Sequence, residues 1–264
     1  MKKPPSPRSI IMKINVFQKG FNYSQDGQGN RLIFHLQGCN MKCPWCSNPE
    51  GMSLKGIMMS DKGRSRLSYK EYFVDDMVKE AVRSKPIFFD GGGVTLTGGE
   101  ITMQFDAVKE LLIKLGEAEI HRAIETNGSH PHMNELIPFV DQWIMDVKHY
   151  DNAKHKEWVG ISLENTTKTL EVVSQTHENV LIRIPLIPGF NDSKEDAEGF
   201  AKYFAEHMNK EKAKLEFLAY HEYGKGKWEQ CGMKYQMPNV RLEPGTVTYF
   251  EKIMAEHGIA CIRT

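Results

Sequence analysis

No stretch of the sequence approaches the roughly 18 consecutive apolar residues that a membrane-crossing helix needs, and none is of low complexity or repeated. Net charge is also missing: 34 Lys and Arg balance 34 Asp and Glu, so no electrostatic footprint for nucleic acid or an anionic bilayer is present. Cysteine is scarce. Five in 264 residues, three of them clustered, do not make a disulfide framework. The N-terminal MKKPPSPRSIIMKINVF begins basic, but Lys13 and Asn15 interrupt any apolar h-region. It reads as a Pro-rich tail entering a first strand, within residues 1–16, and the expected location is the cytoplasm, with no membrane and no nucleic-acid partner.

The cysteines that are present concentrate in GCNMKCPWCSNP (38–49), where Cys39, Cys43 and Cys46 stand in a C-x3-C-x2-C spacing. Three thiols within eight residues converge on one point, most economically a metal. Two metal readings follow. Three thiolates are one fewer than usually hold an iron–sulfur cluster, which would leave one iron open to an outside ligand. A structural zinc with His35 as fourth ligand is the alternative. Cys231 and Cys261 are too far apart and too few for another four-thiolate site, so one cluster only is expected.

Short apolar runs alternate with helical patterns. Strands are expected at Leu32–Leu36, Val94–Thr97, Ala123–Thr126, Trp143–Val147, Val180–Ile187, Leu215–Ala219 and Ile259–Ile262. Helices are expected at Ser68–Ser84, Thr102–Gly116, Met133–Phe139, Thr166–Thr176, Ser193–His207 and Gly245–His257. In the first of these, Phe73, Met77 and Ala81 with Val74, Val78 and Val82 form one stripe, as a helix covering a sheet requires. Strands alternating with such helices imply βα units and a parallel sheet.

The notable polar residues fall just after those strands. The cysteines follow 32–36, Gly98-Gly99-Glu100 follows 94–97, and Glu125, Thr126 and Asn127 end 123–126. Asp146 and Lys148 close the next run, Pro188-Gly189 follows 180–187, and His221 follows 215–219. Sites of α/β enzymes gather at those carboxyl ends. Six stretches distant in sequence are therefore expected around one pocket, in an α/β sheet of six main βα units. Arg183, inside a β-branched run, must point into a polar pocket or pair structurally.

The ordered series Asp26-Gly27-Gln28-Gly29, the cysteine motif, GGGVTLTGGE (91–100), IETNG (124–128), MDVK (145–148), IRIPLIPGFND (182–192) and YHEYGKGKW (220–228) resembles the radical S-adenosylmethionine enzymes. Among these it is similar to the activating enzymes of glycyl radical enzymes, from about Phe17 to Trp228. The resemblance implies an open partial (β/α)6 barrel of TIM type. It implies a single domain over 1–264, with a core at 17–228 and a C-terminal extension at 229–264. It also implies an oxidoreductase that cleaves S-adenosyl-L-methionine at one [4Fe–4S] cluster held by Cys39, Cys43 and Cys46, then takes a glycine α-hydrogen from a partner.

By the same resemblance Trp45, Ser47, Asn48 and His221 contact the nucleoside, and Gly98, Gly99 and Glu100 take the methionine amino group. Lys148 neutralises its carboxylate, and Arg183, Thr126 and Asp146 complete the cofactor site. Glu125, Thr126, Ile144 (through its carbonyl) and Asp146 match a monovalent-cation site for sodium or potassium; Glu125 paired with Lys148 is the structural alternative. Asp26, Gly27 and Gly29 match the loop facing the partner, although Gln28 stands where the family usually has Pro. The implied partners are pyruvate formate-lyase or a related lyase, and a flavodoxin- or ferredoxin-type electron donor. Cysteine is absent from 47–90, where many activators carry a ferredoxin-like module, and 51–70 reads as a partner-binding loop or a vestige of that module. A radical enzyme acting on a small molecule or peptide side chain is the other enzymatic reading.

Overall fold

The computed structural model describes residues 12–264. The expected Pro-rich tail, residues 1–11, lies outside the described residues. The first strand, β1 (Lys13–Tyr23), continues well past residue 16, so that boundary falls inside a strand rather than between units. It turns back through the DGQG loop into β2 (Asn30–Leu36).

Six strands run parallel in the order β2, β6 (Gly93–Gly98), β7 (Arg122–Thr126), β8 (Gln142–Asp146), β9 (Val180–Leu186) and β10 (Ala213–Ala219). β1, and beyond it β5 (Lys70–Phe73), extend the β2 side antiparallel, and β10 closes on neither, giving an α/β partial barrel. A separate hairpin, β3 (Met58–Asp61) and β4 (Arg64–Leu67), occupies the middle of the segment read as a loop. Outward residues of the parallel strands, such as Phe34, Leu96, Ile124, Trp143, Ile184 and Phe217, join one large buried core. Helices α1 (Val74–Ser84), α2 (Phe105–Glu117), α4 (Glu164–Thr176), α5 (Lys194–His207) and α7 (Thr246–Glu256) supply its other side.

The helix expected over 68–84 begins only at Val74. Residues 70–73 pair with β1 instead, because an exposed edge offers their backbone hydrogen bonds that the helical pattern cannot outweigh. The buried stripe of α1 is accordingly Val74, Met77 and Ala81, while Phe73 and Val82 are exposed. Residues 133–139 form two short 3-10 turns around Pro138, which cannot donate within an α-helix. The last expected strand is reduced to one parallel bridge, Leu215 to Cys261, with Ile262 N–H donating to the Leu215 carbonyl at 2.8 Å. Two helices escape the periodicity reading: α3 (Asn152–Val159), capped by the Asp151 side chain, and α6 (Lys225–Gln230), whose span crosses the expected 228/229 boundary.

Candidate active site

Inward side chains at the carboxyl ends of the parallel strands form the wall of a cavity of about 300 Å³: His35 of β2, Thr97 of β6, Glu125 of β7, Asp146 of β8, Pro185 of β9 and Leu218 of β10. Two-residue alternation puts these on the inner face and their neighbours in the outer core. Cys39, Cys43 and Cys46 close one side. Gly38, at φ +103°, reverses the chain after β2, and its N–H donates to Gly51 O at 2.8 Å. Cys39 N–H donates to Met52 O at 3.0 Å, and two thiols accept backbone N–H groups at 3.4 Å: Cys39 from Met41 and Cys46 from Asn48.

Burial pushes all three thiols up, Cys43 to about 12. The thiolate is what binds metal, so a metal would release protons on entering. Among the described residues no three His, Cys, Asp or Glu side chains are set to hold a single ion. A cluster of several irons takes each thiolate on a different iron and needs its ligands farther apart than one ion does. Three soft ligands, two of them with N–H groups on sulfur, fit that donor set.

Trp45, 8% exposed, packs on Phe190 and Trp158 with ring centroids 5.0 and 6.1 Å away, and it faces the cavity with Ser47 and Asn48. From the YGKGKW stretch, Trp228 Nε1 donates to Cys46 O at 2.9 Å and Lys227 to Asn48 Oδ1 at 2.8 Å. Gly224 lies so close that a Cβ would meet Cys46 O at 2.6 Å. Gly98 and Gly99 also line the cavity, and a Cβ on Gly99 would stand 2.1 Å from Gly38 O. His221 is exposed at the rim, stacked on Tyr223 with centroids 4.2 Å apart.

Lys148 and Asp146 form an ion pair at 2.9 Å on the cavity wall. Burial alone would lower the Lys148 ammonium, but the Asp146 carboxylate outweighs it and holds the lysine protonated. Glu125 pairs with Arg183 at 2.8 Å, not with Lys148, and accepts from Thr97 Oγ1 at 2.5 Å.

Some expected site residues lie elsewhere. The Glu100 carboxylate is buried in the wall, accepting from Thr102 N, Thr126 Oγ1 and Asn127 N, and it ties the GGE turn to the end of β7. Arg183 does not line this cavity. It sits inside the barrel between Glu125 and Glu216, each at 2.8 Å, so the structural alternative describes it. Of the four expected cation ligands, Glu125, Thr126 and Asp146 line the cavity, where Glu125 pairs with Arg183, Asp146 with Lys148, and Thr126 Oγ1 donates to Glu100. Asp26 reaches the cavity, held by Asn22 Nδ2 at 2.7 Å and with its carbonyl accepting from Thr95 Oγ1 at 2.6 Å. Gly27 and Gly29 turn toward the amino ends of the strands, where a Cβ on Gly29 would meet Phe89 O at 2.3 Å. Thr97 and Tyr220 join the site unexpectedly, while His35 and Asn127 line it as well. Alternation within β6 would have found Thr97.

Residues 33–201 match the family profile described as Radical SAM superfamily, well over half the chain. The chain belongs to the radical SAM superfamily, and within it to the family of activating enzymes. It is 34% identical over 224 residues to the pyruvate formate-lyase-activating enzyme of Staphylococcus epidermidis, covering 81% of this chain and 84% of that protein. It is 27% identical over 291 residues to the 4-hydroxyphenylacetate decarboxylase activating enzyme of Clostridioides difficile, covering 89% and 91%. A radical SAM methyltransferase from Sphaerobacter thermophilus shares the fold, with a TM-score of 0.61 at 17% identity over 92% of this chain and 72% of that one.

Proposed function

We propose that this enzyme installs a glycyl radical on a partner glycyl radical enzyme, pyruvate formate-lyase or a related lyase, after receiving an electron from a flavodoxin- or ferredoxin-type donor. The observation that carries this reading is the convergence of three half-buried cysteines, the Gly98-Gly99 turn and the Asp146–Lys148 pair on one cavity, in a chain of the activating-enzyme family. Cys39, Cys43 and Cys46 would hold a [4Fe–4S] cluster, which together with S-adenosyl-L-methionine would supply the one-electron reductive chemistry that hydrogen removal from glycine needs.

The chain's own residues bind, orient and exclude water. Lys148, kept cationic by Asp146, faces a methionine carboxylate, and the backbone of Gly98 and Gly99 accepts its amino group. Trp45, Ser47, Asn48 and His221 enclose the nucleoside. Asp26 stands where the partner's glycine-bearing segment would arrive. Glycine suits the reaction because no side chain obstructs its α-carbon, and no general acid or base is called for; positioning carries the rate.

Reconstituted anaerobically and given reductant, S-adenosyl-L-methionine and pyruvate formate-lyase or a related lyase, the protein is expected to raise a glycyl radical doublet in the electron paramagnetic resonance spectrum. Turnover of a small molecule with no doublet on any lyase would overturn the assignment.

A further inference from the structure

The β3–β4 hairpin takes no part in the site described, yet it is the most one-sidedly charged segment beside it. Lys55, Lys62, Arg64 and Arg66 stand against Asp61 alone, in a chain whose charges balance overall. All five are exposed, and none makes an ion pair among the described residues, whereas nearby Lys227 is paired with Glu50 at 2.7 Å. Apolar side chains are interleaved with them: Leu54 is 41% exposed, Met58 61% and Leu67 42%. Within the hairpin only Met59 is buried. Unpaired cations around exposed apolar side chains are the surface features of a protein-binding site.

This hairpin is mounted on the cysteine loop. Met52 O accepts from Cys39 N, and Leu54 lies on the Gly38 backbone, where a Cβ would meet its Cδ1 at 2.9 Å. At the hairpin base Ser68 N donates to Ile57 O at 2.9 Å, and Ser68 Oγ donates to Gln37 Oε1 at 3.3 Å. Gln37 in turn donates to the carbonyls of Glu50 and Ser53 at 2.7 and 2.6 Å. The chain from surface to thiols is therefore short and hydrogen-bonded, and a redox partner seated on the hairpin would face the cysteines across residues 52–54.

We propose that the β3–β4 hairpin is the docking platform for an acidic one-electron carrier protein, which reduces the centre held by Cys39, Cys43 and Cys46. This rests on the radical reading above, because only a reductive reaction needs an outside electron. Charge complementarity selects an acidic protein, and adjacency to the thiols distinguishes it from the lyase, whose glycine must instead reach the cavity. Fixed cations of this kind act chiefly on encounter, raising association rates by about 10- to 1000-fold at low salt.

The test compares the wild type with K62E/R64E/R66E, all at exposed positions, by 5′-deoxyadenosine release with dithionite and with a reduced bacterial flavodoxin. Dithionite-driven release is expected to be unchanged. With flavodoxin, the KM for the carrier is expected to rise by about ten-fold or more and its salt dependence to flatten, while R64K/R66K behaves as wild type. An unchanged flavodoxin KM overturns the proposal. So does loss of dithionite-driven glycyl radical formation on the lyase without loss of deoxyadenosine, which would assign the hairpin to the lyase. Cosedimentation with phosphatidylglycerol vesicles, lost in the triple variant, would assign it to a bilayer and likewise overturn it. Failure of the wild type to release deoxyadenosine even with dithionite would instead remove the radical reading itself.

Discussion

Cys39→Ala, Cys43→Ala and Cys46→Ala are each expected to fold and to lose reductive cleavage of S-adenosyl-L-methionine, by more than about 100-fold, the upper end of what removing an outer-shell partner costs a metal site. The reason is the ligand count. The cavity offers three thiols, so each removal leaves two. Iron and sulfide per chain, with 5′-deoxyadenosine released, measure the effect. Cys261→Ala, remote from the cavity, is expected to keep both. A Cys43→Ala protein that released deoxyadenosine at the wild-type rate would end the cluster assignment. Loading should also depend on pH with a definite sign. Burial holds the thiols in their protonated form, Cys43 up to about 12, so each must surrender a proton to metal. Iron uptake is expected to strengthen as pH rises and weaken as it falls.

Arg183→Met is expected to cost about 3–5 kcal/mol of stability, the range for breaking a buried ion pair on one side, and to lower Tm by about 10 °C for a chain of this size. Arg183 is 6% exposed and is the cation between Glu125 and Glu216, and its guanidinium also donates to Gln25 O at the start of the DGQG loop. Its loss leaves two carboxylates in the barrel without a counter-ion and frees the loop that presents Asp26. Adding Glu125→Gln and Glu216→Gln should recover most of the stability, since the cost lies in the uncompensated charges. Calorimetry of the single and triple variants decides it. A single variant melting within a degree of wild type would show that the network holds nothing.

The same network has a pH signature. Burial would raise the Glu216 carboxyl, but bonds from Thr264 and Arg183 hold it below its usual range. A depressed carboxylate contributes stability above its unfolded pKa of about 4.3 and loses it as pH falls through the folded value. The wild type should therefore lose stability below about pH 4 more steeply than Glu216→Gln.

Much of this was legible in the chain. Each of the six parallel strands appears in sequence as a β-rich run, and the chemistry-bearing residues follow those runs because parallel strands present all their carboxyl ends on one side. Thus the cysteines, Gly98-Gly99, Asp146, Lys148 and His221 were expected together, and they line one cavity. Residues 70–73 went wrong because strand pairing with β1 is a long-range contact with no local trace. The β3–β4 hairpin escaped notice because its exposed residues alternate no apolar face, only Met59 being buried.

Local chemistry by itself singled out the clustered thiols, the glycines that let backbones touch, and the six parallel strands in their order, because these depend on residue type and spacing along the chain. Only the tertiary structure decided which carboxylate meets which cation. Glu125 was open to Lys148 or to a metal ion, and it went to Arg183, because the stagger of neighbouring strands lines up inward side chains that lie 58 residues apart in sequence. The assembly likewise turns Gly27 and Gly29 away from the thiols, since which end of a barrel a segment faces is a property of the assembled sheet and not of the segment.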